Sequence, residues 1–294
     1  MCMTDSLLRG ITRDKSLRFF AVNAADTVQQ AIDFHYLSIT SSVTLGRLLV
    51  AGLLMGAGLK NAEDLLTLRI DGDGPIGVVL VTATGDGTIK GYVQNPQIEL
   101  AKSSKGFAVA EAVGKGYLSV IRSMTGSKPY TGQVALVSGE IGQDICHYYQ
   151  QSEQMDTLVN LGILIEKDAV IRQAAGVFVQ CMPDTPVEVK TLLNANAQQT
   201  PNLSDLLDMG MSLEDILQKF IFKNIPIDIA DQKPVSYFCN CTKDRFSAGM
   251  RLLDKQELKE MIESNEAISA SCHFCNKNYK FSTDELQEML RSKI

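Results

Sequence analysis

The amino-acid sequence points to an α+β protein in three parts: an N-terminal β-sheet domain with packed helices over residues 1–182, a helical connector over 183–231 and a small cysteine-bearing domain over 232–294. Three observations lead there. The first part carries β-branched runs separated by short glycine-containing turns, the pattern of antiparallel hairpins rather than of strand–helix–strand units. From Pro183 the apolar residues recur at helical spacing between prolines. Four of the seven cysteines then fall within residues 239–275, as two close pairs.

Size and composition bound the rest. A chain of 294 residues, 45% of them hydrophobic, is long enough for a sizeable core and more than one domain. Its formal charge of −6 gives no general attraction to phosphate backbones or anionic membranes, so neither nucleic acid nor membrane is an expected partner. An odd cysteine count, with Cys2, Cys146 and Cys181 scattered, argues against a secreted disulfide framework and for a reducing compartment. Met1 to Asp14 lacks an apolar signal core, and the twelve-residue apolar run Leu48 to Leu59 is too short to span a bilayer. A cytoplasmic protein is the expectation.

Leu17 to Val22 reads as a strand from its aromatic and β-branched content. Asp26 stands where it would cap a helix carrying Ala31, Phe34 and Leu37 on one face, with His35 beside that stripe in a structural role. Gly46, Gly52, Gly56 and Gly58, set among leucines, suit a buried helix that approaches another backbone closely. Gly72-Asp73-Gly74-Pro75-Ile76-Gly77 matches the glycine fingerprint of dinucleotide sites. The β-branched Val78 to Thr84 follows, however, where a helix would have to hold pyrophosphate. A hairpin turn is the better reading, and Gly85-Asp86-Gly87 turns the chain again into Thr88 to Val93, giving three antiparallel strands in succession. Lys115 is no phosphate-loop lysine, because Val109 occupies the place of the first glycine and no Ser or Thr follows.

Leu118 to Val137 is strand-rich, with Pro129 and Gly132 marking turns. Ser138 is placed to cap a helix carrying Ile145, Tyr148 and Tyr149. That gives Ser138, Glu140, Asp144 and His147 a structural account in place of a hydrolase one, since Ser138 lacks the strand–elbow–helix setting of a nucleophile. A helix-and-strand unit is expected over Leu158 to Val179, followed by Cys181 as a small buried hydrophobe. No catalytic residue and no small-molecule cofactor is assigned. In the connector, Ser212 and Asp215 form a capping box, and Leu206, Leu207, Leu213, Ile216, Leu217 and Phe220 make much apolar surface. That surface either packs permanently on the first domain or is covered conditionally.

Cys239-Asn240-Cys241 and Cys272-His273-Phe274-Cys275 are separated by the thirty residues 242–271, enough to fold back so that each pair clamps two corners of a tetrahedron. Four thiolates would close a Zn2+ site with no position left for water, making it structural and not hydrolytic. Reduced small hydrophobes or two ordinary disulfides are the plainer alternatives, and His273 could replace one thiolate. Without metal, each pair places two thiols within disulfide range, Cys239 with Cys241 under more strain, so the spacing permits a redox switch without establishing one. Asp254 with Glu257 and Ser282 with Glu285 read as helix caps, and Lys243, Arg245, Lys277 and Lys280 lie close enough in sequence to keep thiolates reactive. A 63-residue unit with so few large apolar groups needs a staple, and structural zinc contributes on the order of 10–16 kcal/mol to folding.

The chain resembles the heat shock protein 33 family over essentially its full length. The resemblance runs through Gly72-Asp73-Gly74-Pro75-Ile76-Gly77, Gly91-Tyr92-Val93-Gln94-Asn95-Pro96, Val137-Ser138-Gly139-Glu140-Ile141, Gln151-Ser152-Glu153-Gln154 and Gln180-Cys181-Met182-Pro183, and most specifically through the two cysteine pairs. It implies a bacterial redox-regulated, ATP-independent chaperone, not an enzyme, whose reduced and inactive form holds zinc on Cys239, Cys241, Cys272 and Cys275. Oxidation would then pair Cys239 with Cys241 and Cys272 with Cys275 and release zinc. The C-terminal domain would unfold and the connector loosen, exposing surface that holds unfolding client proteins under oxidative stress. The resemblance also implies a homodimer on activation, and it gives Cys181 and His273 no ligand role.

Two other classes fit less well. A zinc nucleic-acid module would need a basic surface, whereas residues 232–294 carry a net +1 before the −2 of a zinc–tetrathiolate site. A zinc deaminase wants H-x-E and P-C-x-x-C, but Ser271 precedes Cys272 and no H-x-E occurs.

Overall fold

In a computed structural model, which describes residues 5–101, 106–264 and 268–292, the chain forms two units that part between Phe238 and Cys239. Cys2 lies outside the described residues. The first unit runs β1 (Ser6–Thr12), β2 (Leu17–Asn23), α1 (Ala25–His35), α2 (Ile39–Gly56), β3 (Leu65–Gly72), β4 (Val78–Thr84), β5 (Thr88–Val93) and the short α3 (Val109–Val113). It continues with β6 (Gly116–Ser123), β7 (Tyr130–Ala135), α4 (Gly142–Ser152), β8 (Thr157–Ile165) and β9 (Ile171–Cys181). The connector adds α5 (Val187–Gln199), α6 (Leu203–Asp208), α7 (Leu213–Ile216) and a π-helical turn (Leu217–Ile221), then β10 (Ile227–Pro234) and β11 (Ser236–Tyr237).

These strands make two sheets, in the orders β10-β1-β2-β9-β8 and β11-β5-β4-β3-β6-β7. Neighbours pair antiparallel throughout, apart from the parallel β11–β5 contact. The three successive strands expected around the glycine fingerprint are β3, β4 and β5. Their alternation is plain: Leu66, Leu68 and Ile70, Val79, Val81 and Ala83, and Ile89 and Val93 all turn inward. Gly77, at φ +67°, closes the β3–β4 turn in a conformation that a side chain would strain.

Helix α2 packs against β4 and β5 of one sheet and β8 and β9 of the other. It is longer than the apolar run suggested, reaching 18 residues with a mean hydropathy of 1.5, which by length and composition would suffice to cross a membrane. Here 89% of it is buried inside the protein, as a core helix. The room its glycines leave is taken mainly by neighbouring side chains rather than by another backbone: a Cβ on Gly52 would lie 2.8 Å from Ile89 Cδ1 and 3.0 Å from Val81 Cγ2, and Gly58 lies beyond the helix end.

Several local expectations are corrected. Asp26 sits inside the first turn of α1, and the cap is the Asp5 carboxylate, which accepts from the amides of Asp26 (3.2 Å) and Thr27 (2.6 Å). The β1–β2 pairing brings this about, because Ser6 lies opposite Asn23 and so puts Asp5 at the helix start. Gly132 is within β7 rather than at a turn; its missing side chain makes room for the Tyr148 ring, 2.8 Å from where a Cβ would stand. Leu158 to Val179 holds no helix: β8 and β9 form a hairpin, and the continuous apolar run Val177-Phe178-Val179 reflects burial on both faces of β9.

One of those faces meets α2 and the second sheet; the other is covered by the connector. Leu203, Leu206, Leu207, Leu213, Ile216 and Ile221 are buried against Leu17, Phe19, Val177 and Val179, and the Phe19 and Phe222 rings lie 4.8 Å apart. Ser212 caps α7 as expected, its hydroxyl accepting from the Asp215 amide at 3.1 Å. The end of the connector was not foreseen, since β10 joins the first sheet beside β1 with a register shift between Arg9 and Gly10.

The second unit holds α8 (Lys243–Met250), α9 (Lys255–Glu263), the hairpin β12 (Ile268–Ser271) and β13 (Asn278–Phe281), and α10 (Thr283–Arg291). Capping boxes at Asp254–Glu257 and Ser282–Glu285 start α9 and α10, as the sequence indicated. Its buried core among the described residues is Met250, Leu258, Phe281, Leu286 and Met289.

Candidate metal centre

Cys239 and Cys241 lie on the segment that leads into α8, and Cys272 and Cys275 on the turn between β12 and β13. That turn is built by backbone hydrogen bonds. The Asn276 amide donates to Cys272 O (2.9 Å), the Cys272 amide donates to Lys277 O (2.9 Å), and Asn276 adopts φ +54°, which its short polar side chain tolerates. Thr242 caps α8 through Arg245 N, which fixes the course of the chain just after Cys241.

The four Sγ atoms all lie within 4.8 Å of one another. Two cross-pair distances are 3.6 Å (Cys239 to Cys272) and 3.3 Å (Cys241 to Cys275). A metal–thiolate bond of roughly 2.3 Å in tetrahedral geometry implies sulfur–sulfur edges of roughly 3.8 Å, so the cluster has the size and donor set to hold a metal ion. Cys272 and Cys275 are buried and Cys239 and Cys241 half-buried.

The environment sets the thiols apart. Burial pushes Cys241 up, but hydrogen bonding with the Tyr279 hydroxyl and the neighbouring thiols outweighs it and brings the group down to about 7. Burial, reinforced by those thiols, holds Cys275 well above the ordinary thiol range, and burial also raises Cys239. Such coupled sulfurs lose their protons in succession, and a metal ion entering the cluster would displace those that remain.

Tyr279 was not singled out from the sequence. Its hydroxyl donates to Cys241 O at 3.0 Å and lies 3.2 Å from Cys241 Sγ, and its ring is held by Phe246 at a centroid distance of 5.0 Å. The signal available was its position four residues after Cys275, where a short hairpin returns the strand to the turn. Lys243, expected to act on the thiolates, instead pairs with Glu285 at 2.5 Å and lies 5.2 Å over the Phe281 ring.

The other candidates stand apart from this cluster. His35 is buried in α1 with Nε2 3.1 Å from Gly91 O, in keeping with a structural role. Ser138 is not the cap of α4; its hydroxyl donates to Asp144 Oδ2, and the Asp144 carboxylate organises that turn. The Glu140 carboxylate pairs with Arg47. Lys115 directly precedes β6 strand residues rather than a helix. Cys181 is half-buried at the end of β9, less enclosed than a core hydrophobe, and shares a cavity lining with Cys146.

The comparisons with known proteins agree with one another. A family model described as Hsp33 protein matches residues 5–282. A 33 kDa chaperonin of Desulforamulus reducens is 38% identical over 290 residues, covering 98% of each chain. Another, from Agathobacter rectalis, is 37% identical over 288 residues, covering 98% of this chain and all of its own. The crystal structure of the 33 kDa chaperonin (heat shock protein 33 homolog) of Thermotoga maritima superposes with a TM-score of 0.91 at 32% identity, covering 99% of both chains. With a four-cysteine cluster, a two-sheet unit and these full-length similarities, the chain belongs to the Hsp33 family of chaperones.

Proposed function

We propose that the chain is a redox-regulated, ATP-independent holdase, inactive when reduced and metal-bound and active when oxidised. The observation that carries this is the closed four-thiol cluster in a unit whose described core is five side chains. Zn2+ is the metal we assign, from an all-sulfur tetrahedral donor set. Bound there, it supplies the cross-link between the chain before α8 and the β12–β13 turn.

The chain's own residues do the rest. Cys239 pairs with Cys241 and Cys272 with Cys275: each pair of thiolates gives up two electrons to a two-electron oxidant such as a peroxide, which takes two protons from solvent and is reduced to water as the sulfur–sulfur bond forms and the metal ion is released. All four sulfurs are then unable to act as thiolate ligands, and a core so small cannot hold α8, α9 and α10 alone. The connector follows: its helices run from 4 to 13 residues, near or below the length at which helices persist unsupported, so they depend on the seam with the first sheet. Their release bares Leu17, Phe19, Val177 and Val179, an apolar strip suited to segments of unfolding proteins. Homodimer formation on activation and a cytoplasmic setting belong to the same reading.

The test is to treat the reduced, metal-loaded protein with peroxide while following zinc release with a chromophoric chelator, and to assay aliquots for suppression of client aggregation without nucleotide. Release of one zinc in step with gain of holding activity is expected. Holding activity that precedes zinc release, or is greatest in the reduced form, overturns the reading.

A further inference from the structure

Away from the cysteines, a cavity of about 250 Å³ opens in the first unit between β2 and β9, the end of α2 and the segment after α4. Its floor is apolar and well buried: Phe20 and Phe178 come from the sheet and Met55 from α2, at 7%, 2% and 6% exposure. Its rim is cationic, with Arg18, Lys60 and Arg122 facing a single carboxylate, Glu153.

That carboxylate is already committed. Glu153 Oε1 accepts from Arg122 Nη1 at 2.7 Å and from the Tyr148 hydroxyl at 2.8 Å. Arg18 is held differently: its Nε donates to Oε1 of Gln180 at 2.5 Å, and Gln180 is 2% exposed, so a buried neutral amide fixes the guanidinium without neutralising it. No carboxylate pairs with Arg18 or Lys60 among the described residues. Two uncompensated cations therefore stand over an aromatic and methionine floor, on a chain whose overall charge is −6.

We infer that this cavity binds a small amphipathic monocarboxylate, with its carboxylate between Arg18 and Lys60 and its apolar body on Phe20, Phe178 and Met55. The floor selects against phosphate and other wholly polar anions, which would leave buried aromatic surface unmatched. The volume lies below the roughly 300–1,000 Å³ of pockets for drug-sized ligands, which sets a short acyl or aryl body as the upper size. Met55, with Met155 beside it in the lining, can adapt to either.

The probe is octanoate, titrated calorimetrically into the reduced, metal-loaded full chain, with octylammonium and inorganic phosphate in parallel. Expected is saturable one-to-one binding of octanoate alone. Lys60→Glu, at an exposed position, should weaken it about fivefold or more with an unchanged melting temperature. In protein carrying 13C-methyl methionine, octanoate should shift Met55 and Met155 but not Met209, which is 78% exposed on the connector. No saturation by about 10 mM, equal binding of octylammonium, an unaltered affinity in Lys60→Glu or shifts centred on Met209 would each overturn the assignment. The readouts share no step with thiol oxidation, so failure here leaves the holdase reading untouched.

Discussion

Asp144 is fully buried, and its carboxylate accepts from the amides of Val137 (2.8 Å), Ser138 (2.9 Å) and Ile141 (3.0 Å) and from the Ser138 hydroxyl (3.1 Å). These bonds hold Ile141 at φ +67°, a region that β-branched residues avoid. Asp144→Ala should therefore cost on the order of 3 kcal/mol, read as a fall in urea midpoint, whereas Ser138→Ala should cost under about 1 kcal/mol. A cost for Ser138→Ala equal to that for Asp144→Ala would restore the serine as the organiser. The sequence left this open in a physical sense: serine and aspartate both favour caps, and which one turns inward depends on the strand that precedes them. The cysteines were legible because pair spacing acts locally, whereas Tyr279 reaches Cys241 only through the register of β12 with β13. X-ray absorption of the metal-loaded protein should show four sulfur neighbours at roughly 2.3 Å. Tyr279→Phe should keep all four and lower metal affinity by about tenfold, while Cys272→Ser should break the shell; an oxygen or nitrogen neighbour in the unmodified protein would refute the four-cysteine assignment.

At the scale of elements, the hairpins of the second sheet and the helices of the connector follow from periodicity, but what they pack against does not. The period-two runs of β3, β4 and β5 announce one inward face. The doubly covered β9 hides its alternation and looks as much like a buried helix segment as a strand. The connector's apolar residues announce a buried stripe without saying which surface buries it, and β10 carries too many charges to announce a strand at all. Within the connector, Asn196 is 8% exposed and its Nδ2 donates to Ile221 O (3.2 Å) and Lys223 O (2.8 Å), tying the π-helical turn to α5. Asn196→Leu would leave two carbonyls without that donor and should destabilise the turn by about 1–3 kcal/mol. Hydrogen exchange should then quicken over 203–222 in the reduced protein and stay unchanged in β3 and β6. Uniform quickening across the first unit would mean that the connector opens only with the whole fold.

At the scale of the whole molecule, the division between Phe238 and Cys239 decides how the proposed switch can be tested by truncation. A chain ending at Phe238 lacks the cysteine unit and keeps β10 and β11, with Tyr237 still buried and donating its hydroxyl to Gly91 O at 2.9 Å. A chain ending at Ala230 cuts β10 in the middle, removing the partners of Ser6, Leu7, Leu8 and Arg9. The two are not equivalent, because the shorter one damages the sheet on which the connector rests. If activation follows from loss of structure in the cysteine unit, the chain ending at Phe238 should suppress client aggregation without oxidant and be indifferent to zinc and reductant. Its melting temperature should exceed that of the chain ending at Ala230, which has lost half an edge strand. Should the longer truncation be inert while the oxidised full chain holds clients, the unfolded cysteine segment would itself supply client contacts, and release of the connector would not suffice. Should both it and the oxidised chain fail while the reduced protein succeeds, the switch would run in the opposite direction.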